Sequence, residues 1–158
     1  MKLYPILESY KPSNTLKLRL LNFVDDLEAK LPTGSLVGEL LMKIMLHQHR
    51  TIPTLTYYLP ILHPAHDQVY ICEILADCES GHGNDEIVLN IYIPSSTFFN
   101  HSRSTYKEAY EAIIKMQHEE IARVCKTGNR LWRYDESEDG LLVAFDQAVA
   151  ELCSDNHL

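Results

Sequence analysis

The sequence predicts an α+β fold in which a small antiparallel sheet of three or four strands packs against about four helices. Three observations support this class. Apolar residues recur with helical spacing in four segments, they alternate with polar residues in one central segment, and a glycine-containing turn joins that segment to an apolar strand before it. Such a pattern is typical of a layered domain with the helices on one face of the sheet.

The N-terminal part of the chain predicts a helical hairpin. Apolar residues within 15–31 follow one face of a helix. Pro32 ends this helix, and a Thr33-Gly34 turn leads into residues 36–45, whose apolar positions also fit a helix. A connection this short favours antiparallel packing of the two helices.

A β-hairpin forms the predicted centre of the sheet. Gln68–Cys78 is apolar at odd and even positions alike, apart from Glu73, as expected for a strand covered on both faces. Residues 87–93 alternate apolar and polar side chains, and the polar turn 79–85 joins the two strands. Thr54–Leu59 is rich in β-forming residues and predicts an additional short edge strand.

The C-terminal third predicts two more helices. Residues 106–125 form the third helix, which begins with a capping box at Thr105 and ends at Gly128. Leu131–Tyr134 fits a short strand, and the apolar spacing in 140–153 predicts the fourth helix.

Composition favours one domain over residues 1–158, since the chain is 46% hydrophobic and has no internal repeat. Pro5 and Glu8 interrupt any signal-peptide core, and the longest apolar stretch, 36–46, is too short to span a bilayer. The four cysteines include no C-x-x-C pair, which favours reduced thiols. We therefore expect a cytoplasmic protein that is not inserted in a membrane.

Acidic residues are concentrated in two regions of a chain whose net charge is −8. Residues 67–100 contain six Asp or Glu and no Lys or Arg, and residues 135–158 contain seven and again no Lys or Arg. This balance disfavours direct nucleic-acid binding and favours a protein partner with a basic surface. The alternative is that the acidic surface serves only solubility and helix capping.

The sequence contains no nucleophile-elbow, P-loop or dinucleotide-binding motif, and we expect no cofactor. His63, His66 and Asp67 are ligand types of an open Zn²⁺ or Fe²⁺ site, which would make the protein a small metal-dependent hydrolase. However, a proline-containing loop offers no fixed coordination geometry, so a polar surface loop is the preferred interpretation. His118 on the third helix lacks the second histidine of a metalloprotease motif.

Aromatic residues and arginines meet the acidic run in the segment from Arg130 to Asp139. Trp, Tyr and Arg are enriched at the energetic centres of protein interfaces, although a core position is common for a lone tryptophan. We therefore predict a non-catalytic protein-binding module of the inhibitor, immunity-protein, adaptor or secretion-chaperone type. A structural or homodimer-forming role is a further alternative. The predicted partner-binding residues are Trp132, Tyr134, Asp135, Glu136, Glu138 and Asp139.

Overall fold

The computed structural model describes residues 14–45, 54–77, 86–95, 105–135 and 144–154. Within these ranges the helices are α1 (Asn14–Lys30), α2 (Tyr106–Ile113), α3 (His118–Thr127) and α4 (Ala144–Cys153). The strands are β1 (Leu36–Val37), β2 (Leu41–Met45), β3 (Thr54–His63), β4 (Gln68–Asp77), β5 (Glu86–Ile93) and β6 (Asn129–Asp135). The fold is mixed α+β, and its antiparallel sheet has six strands where the sequence predicted three or four.

Three long neighbouring strands form the middle of the sheet. β3, β4 and β5 pair in sequence order, and β6 pairs with the far side of β5. β1 and β2 pair one after the other with the outer side of β3, so they share one edge while β6 forms the opposite edge. The predicted hairpin is confirmed in its two strands, and its turn at 79–85 lies outside the described residues.

Helices cover both faces of the sheet. On the face that we call the α1/α4 face, these two helices pack together, and the ring centroids of Phe23 and Phe145 lie 4.8 Å apart. On the opposite α2/α3 face, a second core cluster joins Ile113 and Ile121 to residues of β3 and β4. The prediction of helices on one face is wrong because β3 and β4 are apolar on both sides, and each side must be shielded from water.

The predicted helical hairpin is not present, because residues 36–45 form β1 and β2 instead of a second helix. Short apolar runs fit a helix or a buried strand about equally well, so long-range pairing decides the outcome. Here the partner is β3, whose register runs from Leu36 opposite Leu62 to Met45 opposite Thr54. β3 is therefore an interior strand of ten residues and not the short edge strand that was predicted.

Pro60 explains why the edge next to β3 is interrupted. Val37 lies opposite Ile61 and Leu41 opposite Tyr58, so three residues of the edge face only two of β3. The carbonyl of Pro60 accepts a hydrogen bond from the Gly38 amide at 2.8 Å, which shows that its missing N–H would also point to this edge. Proline thus removes no donor from the β3–β4 ladder. A Cβ at residue 38 would lie 3.2 Å from Pro60 Cδ, which favours glycine there.

The predicted third helix is divided into α2 and α3 by residues 114–117. The capping box is confirmed, since the Thr105 hydroxyl accepts a hydrogen bond from the Glu108 amide at 3.1 Å. Gln117 has extended backbone angles and is the N-cap residue of α3. Ile121 of α3 belongs to the same core cluster as Ile113 of α2. The fourth helix is confirmed from Ala144 onward.

Gly128 links α3 directly to β6. Its amide donates to the Cys125 carbonyl, as predicted for a helix end, but its φ of −89° is open to any residue. The glycine is required for another reason: a Cβ at this position would collide with the carbonyl oxygen of Ile93. This close approach holds β6 against β5 immediately after the helix.

We expect Ile113→Ala to lower the free energy of unfolding by about 2–5 kcal/mol, because Ile113 is fully buried in the core under α2. Ile114→Ala is the matched control, since this neighbouring side chain is 42% exposed and should cost about 0.5 kcal/mol or less. Urea denaturation of both variants measures the difference. Equal losses would mean that the inner face of α2 has been assigned incorrectly.

Candidate functional site

The predicted partner-binding segment lies on β6, at one edge of the sheet. Trp132 is half-buried and packs against the α1/α4 core, whereas Tyr134 is 3% exposed and belongs to that core. The two rings stack with centroids 6.3 Å apart and an angle of 20° between their planes. Asp135 ends β6, and Glu136, Glu138 and Asp139 lie outside the described residues. Of the predicted aromatic pair, Trp132 is therefore the more accessible.

A β-bulge in β6 brings two arginines to the same face. Arg133 pairs with Asn90 and Arg130 with Tyr92, so the register shifts by one residue between these pairs. Without the shift, residues three apart would point to opposite faces, and with it both arginines lie on the α2/α3 face. Both side chains are exposed. The edge strand thus presents two positive charges just before the acidic run.

The predicted metal-ligand cluster is a packed turn. The rings of His63 and His66 stack face to face, with centroids 3.6 Å apart and planes 3° apart. His63 Nδ1 accepts a hydrogen bond from the His66 amide at 3.2 Å, and His66 Nδ1 lies 2.9 Å from the Tyr70 hydroxyl oxygen. Asp67 adopts a positive φ of 49° in the turn. Within the described ranges no three His, Cys, Asp or Glu side chains are grouped as metal ligands.

The position of His63 differs from the predicted surface loop. His63 is the last residue of β3 and is 2% exposed, whereas Asp67 is exposed in the turn that follows. The short Pro64–Asp67 turn brings the His66 ring back over the His63 ring, which explains the stacking. These contacts indicate a structural role for the two imidazoles in closing the β3–β4 turn.

A row of polar residues crosses the α2/α3 face at the level of Glu73. In the strand register, Tyr58 on β3 lies opposite Glu73, Glu73 opposite Asn90, and Asn90 opposite Arg133. The row therefore spans four adjacent strands of a face that is otherwise largely apolar on β3 and β4. Its only charged member within the interior strands is Glu73, the residue that interrupts the apolar sequence of β4.

Glu73 is the centre of the hydrogen-bond network in this row. Its Oε2 accepts a hydrogen bond from the Tyr58 hydroxyl at 3.1 Å. Its Oε1 accepts from Asn90 Nδ2 at 3.0 Å and from the Tyr92 hydroxyl at 3.4 Å. Neutral groups supply all three of these donors, so these hydrogen bonds solvate the carboxylate without adding an opposite charge.

The burial of this network favours the protonated forms of the groups around Glu73. Desolvation, followed by the negative charge of Glu73, raises the pKa of Tyr92 to about 12 and the pKa of Tyr58 further. The same two causes raise the pKa of the Cys125 thiol on α3. A thiol held in its protonated form is a poor nucleophile.

α3 places a histidine close to the same network. The ring centroid of His118 lies 6.4 Å from that of Tyr58, and His118 Nε2 is buried without a hydrogen-bond partner among the described residues. Asn90 is 1% exposed, and its Oδ1 is likewise buried without a partner among those residues. No sequence pattern connected these residues, and the charge of Glu73 within an apolar strand was the available signal for the site.

A separate groove of about 300 Å³ lies where the edge strands are interrupted. It is lined by Val37, Gly38, Glu39, Leu41, Pro60, Tyr110 and Ile114. Leu36 and Met42, on the strands that flank the interruption, are 40% and 42% exposed. The lining is mainly apolar, and Glu39 is its only charged residue. This surface groove therefore lacks a group of polar side chains that could carry out a reaction.

Three cysteines in the described ranges are free thiols: Cys72, Cys125 and Cys153. Cys72 is fully buried, and desolvation raises its pKa to about 12. Cys78 lies outside the described residues. The thiols at the first two positions act as small apolar core residues.

Comparison with protein-family models, with curated proteins and with solved structures finds no match to this chain. In the described ranges, no helix has both the length and the hydrophobicity needed to cross a membrane.

Alkaline pH should destabilise the fold because burial keeps several groups protonated. The pKa of Tyr70 and of Tyr92 is raised from 10 to about 12, so the stabilisation is intact below pH 10 and is lost as pH rises through about 12. We expect the free energy of unfolding to fall steadily across this interval. Tyr70→Phe and Tyr92→Phe should each flatten the fall, as measured by urea denaturation at successive pH values. An unchanged slope in both variants would contradict this assignment.

Proposed function

We propose that the protein is a non-catalytic protein-binding module that contacts the basic surface of a protein partner through β6 and the acidic run that follows it. The observation that carries the proposal is the position of β6 at an edge of the sheet with Trp132 half-buried on it. An edge strand offers backbone N–H and C=O groups to an added strand, and an aromatic residue beside them can anchor the contact.

Charge supports a basic partner. The net charge is −8, and four carboxylates occur in the five residues 135–139. Such a concentration attracts a basic surface over distances of about a Debye length, roughly 8 Å at physiological ionic strength. Direct nucleic-acid binding would require cations to neutralise phosphates, and the acidic balance of the chain opposes it.

The arginines of β6 add a requirement on the partner. Arg130 and Arg133 are exposed on the α2/α3 side of the same strand. A strand added beside β6 would therefore place polar or acidic side chains opposite these arginines and basic side chains near Asp135. This mixed pattern sets one register for the added strand, because a shift by one residue would reverse the faces of its side chains.

The first test locates the partner on the molecule. A photo-cross-linking amino acid is introduced in place of Leu131 on β6 in one variant and of Met42 on β2 in another, and each is exposed to an extract of the source cells. We expect the β6 probe to capture a protein that the β2 probe does not. Equal capture by both probes would count against an interface on β6.

The second test measures binding kinetics with the captured protein after purification. It separates the effect of the carboxylates on association from the effect of Trp132 on dissociation. Neutralising Asp135, Glu136, Glu138 and Asp139 to Asn or Gln should lower the association rate and flatten its salt dependence. Trp132→Ala should chiefly raise the dissociation rate, with a loss of about 2 kcal/mol, roughly 30-fold. Melting curves first establish that both variants fold.

A matched control removes four charges elsewhere. The exposed carboxylates Asp25, Glu28, Glu39 and Glu111 are changed to Asn or Gln, which gives the same net charge as the first variant. We expect a smaller effect on the association rate, since these residues lie on other elements of the fold and not on β6 or in the run that follows it. If the two quadruple variants behave alike, or if neither alters the rate at low salt, the acidic run has no specific role in binding.

A further inference from the structure

The network around Glu73 contains an unusual excess of hydrogen-bond acceptors. Glu73 carries a negative charge that only neutral donors contact in the described residues. The carboxylate is half-buried, so it retains some access to solvent. Burying a charge without an opposite charge is costly, and a cation bound next to it would reduce that cost.

Asn90 provides a second, independent feature. Its Nδ2 is committed to Glu73, and its Oδ1 makes no hydrogen bond within the described part of the chain although the residue is 1% exposed. A buried carbonyl without a donor destabilises the folded state, because it has lost its hydrogen bonds to water. Oδ1 belongs to the same amide group as Nδ2, which donates to Glu73, so both acceptors belong to one hydrogen-bond network.

Two tyrosine hydroxyls complete the hydrogen bonds of Glu73. Tyr58 and Tyr92 approach Glu73 from the two neighbouring strands, and each hydroxyl oxygen keeps a lone pair while it donates its proton. Arg130 and Arg133 are exposed at the sheet edge, where solvent screens their charges. The charge of Arg130 still lowers the pKa of Tyr92 against the larger upward causes, so it opposes in part a cation bound at this network.

We propose that the carboxylate of Glu73 and the Oδ1 of Asn90 form a binding site for an organic ammonium group on the α2/α3 face. An ammonium has three N–H donors and one positive charge, which match the carboxylate, the amide oxygen and a tyrosine hydroxyl. A free primary amine and a lysine side chain share this chemistry. The site is independent of the partner surface proposed for β6.

The test uses the full-length, ¹⁵N-labelled protein and small probes of known chemistry. Propylammonium chloride is titrated while the side-chain amide resonances of Asn90 are followed by NMR, and propanol at matched ionic strength serves as the uncharged probe. Nα-acetyl-lysine N-methylamide tests a lysine side chain as the source of the ammonium. We expect saturable shifts with propylammonium and none with propanol.

Glu73→Gln keeps the shape of the side chain and removes its charge, so it should weaken propylammonium binding about tenfold or more. Glu39→Gln is the matched control, because Glu39 is exposed at the interruption of the edge strands and should leave the affinity unchanged. Saturation by the lysine derivative at similar concentration would extend the site to protein lysines, and its absence would restrict the site to free amines.

Two results would overturn the proposal. A titration up to about 0.1 M propylammonium would reveal a Kd of about 0.1 M or lower. If the Asn90 resonances do not respond in this range, the acceptors are satisfied by water alone. If propanol shifts them equally in the wild-type protein, the response is not to charge. Both readouts come from the wild-type chain and so remain valid even if Glu73→Gln fails to fold.

Discussion

The apolar character of both sides of β3 and β4 is the constraint on which the rest of the structure depends. Residues such as Leu59 and Tyr70 face one layer, while Tyr58 and Val69 face the other, and all four are buried. A sheet of this kind is stable in water only between two covering layers. The order of the helices along the chain follows from this, since α1 and α4 close one side and α2 and α3 the other.

Complete covering makes the polar row on the α2/α3 face conspicuous. A carboxylate in a strand with two shielded faces must be supplied with hydrogen bonds by the protein, and Tyr58, Asn90 and Tyr92 do so from two neighbouring strands. Because the donors come from β3 and β5, on either side of β4, the network also helps to fix the register of these three strands. The same contacts leave Asn90 Oδ1 without a hydrogen bond in the described part of the chain, and the proposed ammonium site rests on this atom together with the charge of Glu73.

Local sequence signals were sufficient for the elements whose patterns are long or strongly bounded. The first helix, the central hairpin strands and the capping box at Thr105 were predicted within a few residues. Residues 36–45 were not, because their apolar spacing fits helix and strand alike and the deciding partner, β3, is distant in sequence. The break at 114–117 contains no proline or glycine that would indicate a helix end, so α2 and α3 were predicted as one helix.

The two candidate sites also differ in how far they could be predicted from the sequence. Trp132 and the acidic run are visible in the sequence because they are contiguous, although burial of Tyr134 depends on the paired strands. The row through Glu73 joins residues from four strands, and no spacing rule connects them before the register is known. Glu73 itself was conspicuous as a charge in an apolar strand, but its partners required the fold.

The interruption opposite Pro60 makes the two edges of the sheet unequal. In the described part of the chain, β6 forms one edge as seven consecutive residues with a bulge, whereas the other edge consists of runs of two and five residues with three unpaired residues between them. The described strands therefore do not offer two equivalent continuous ladders, which is the geometry that generates open-ended filaments. If β6 accepts a partner strand as proposed, the interrupted opposite edge would limit polymerisation of the chain.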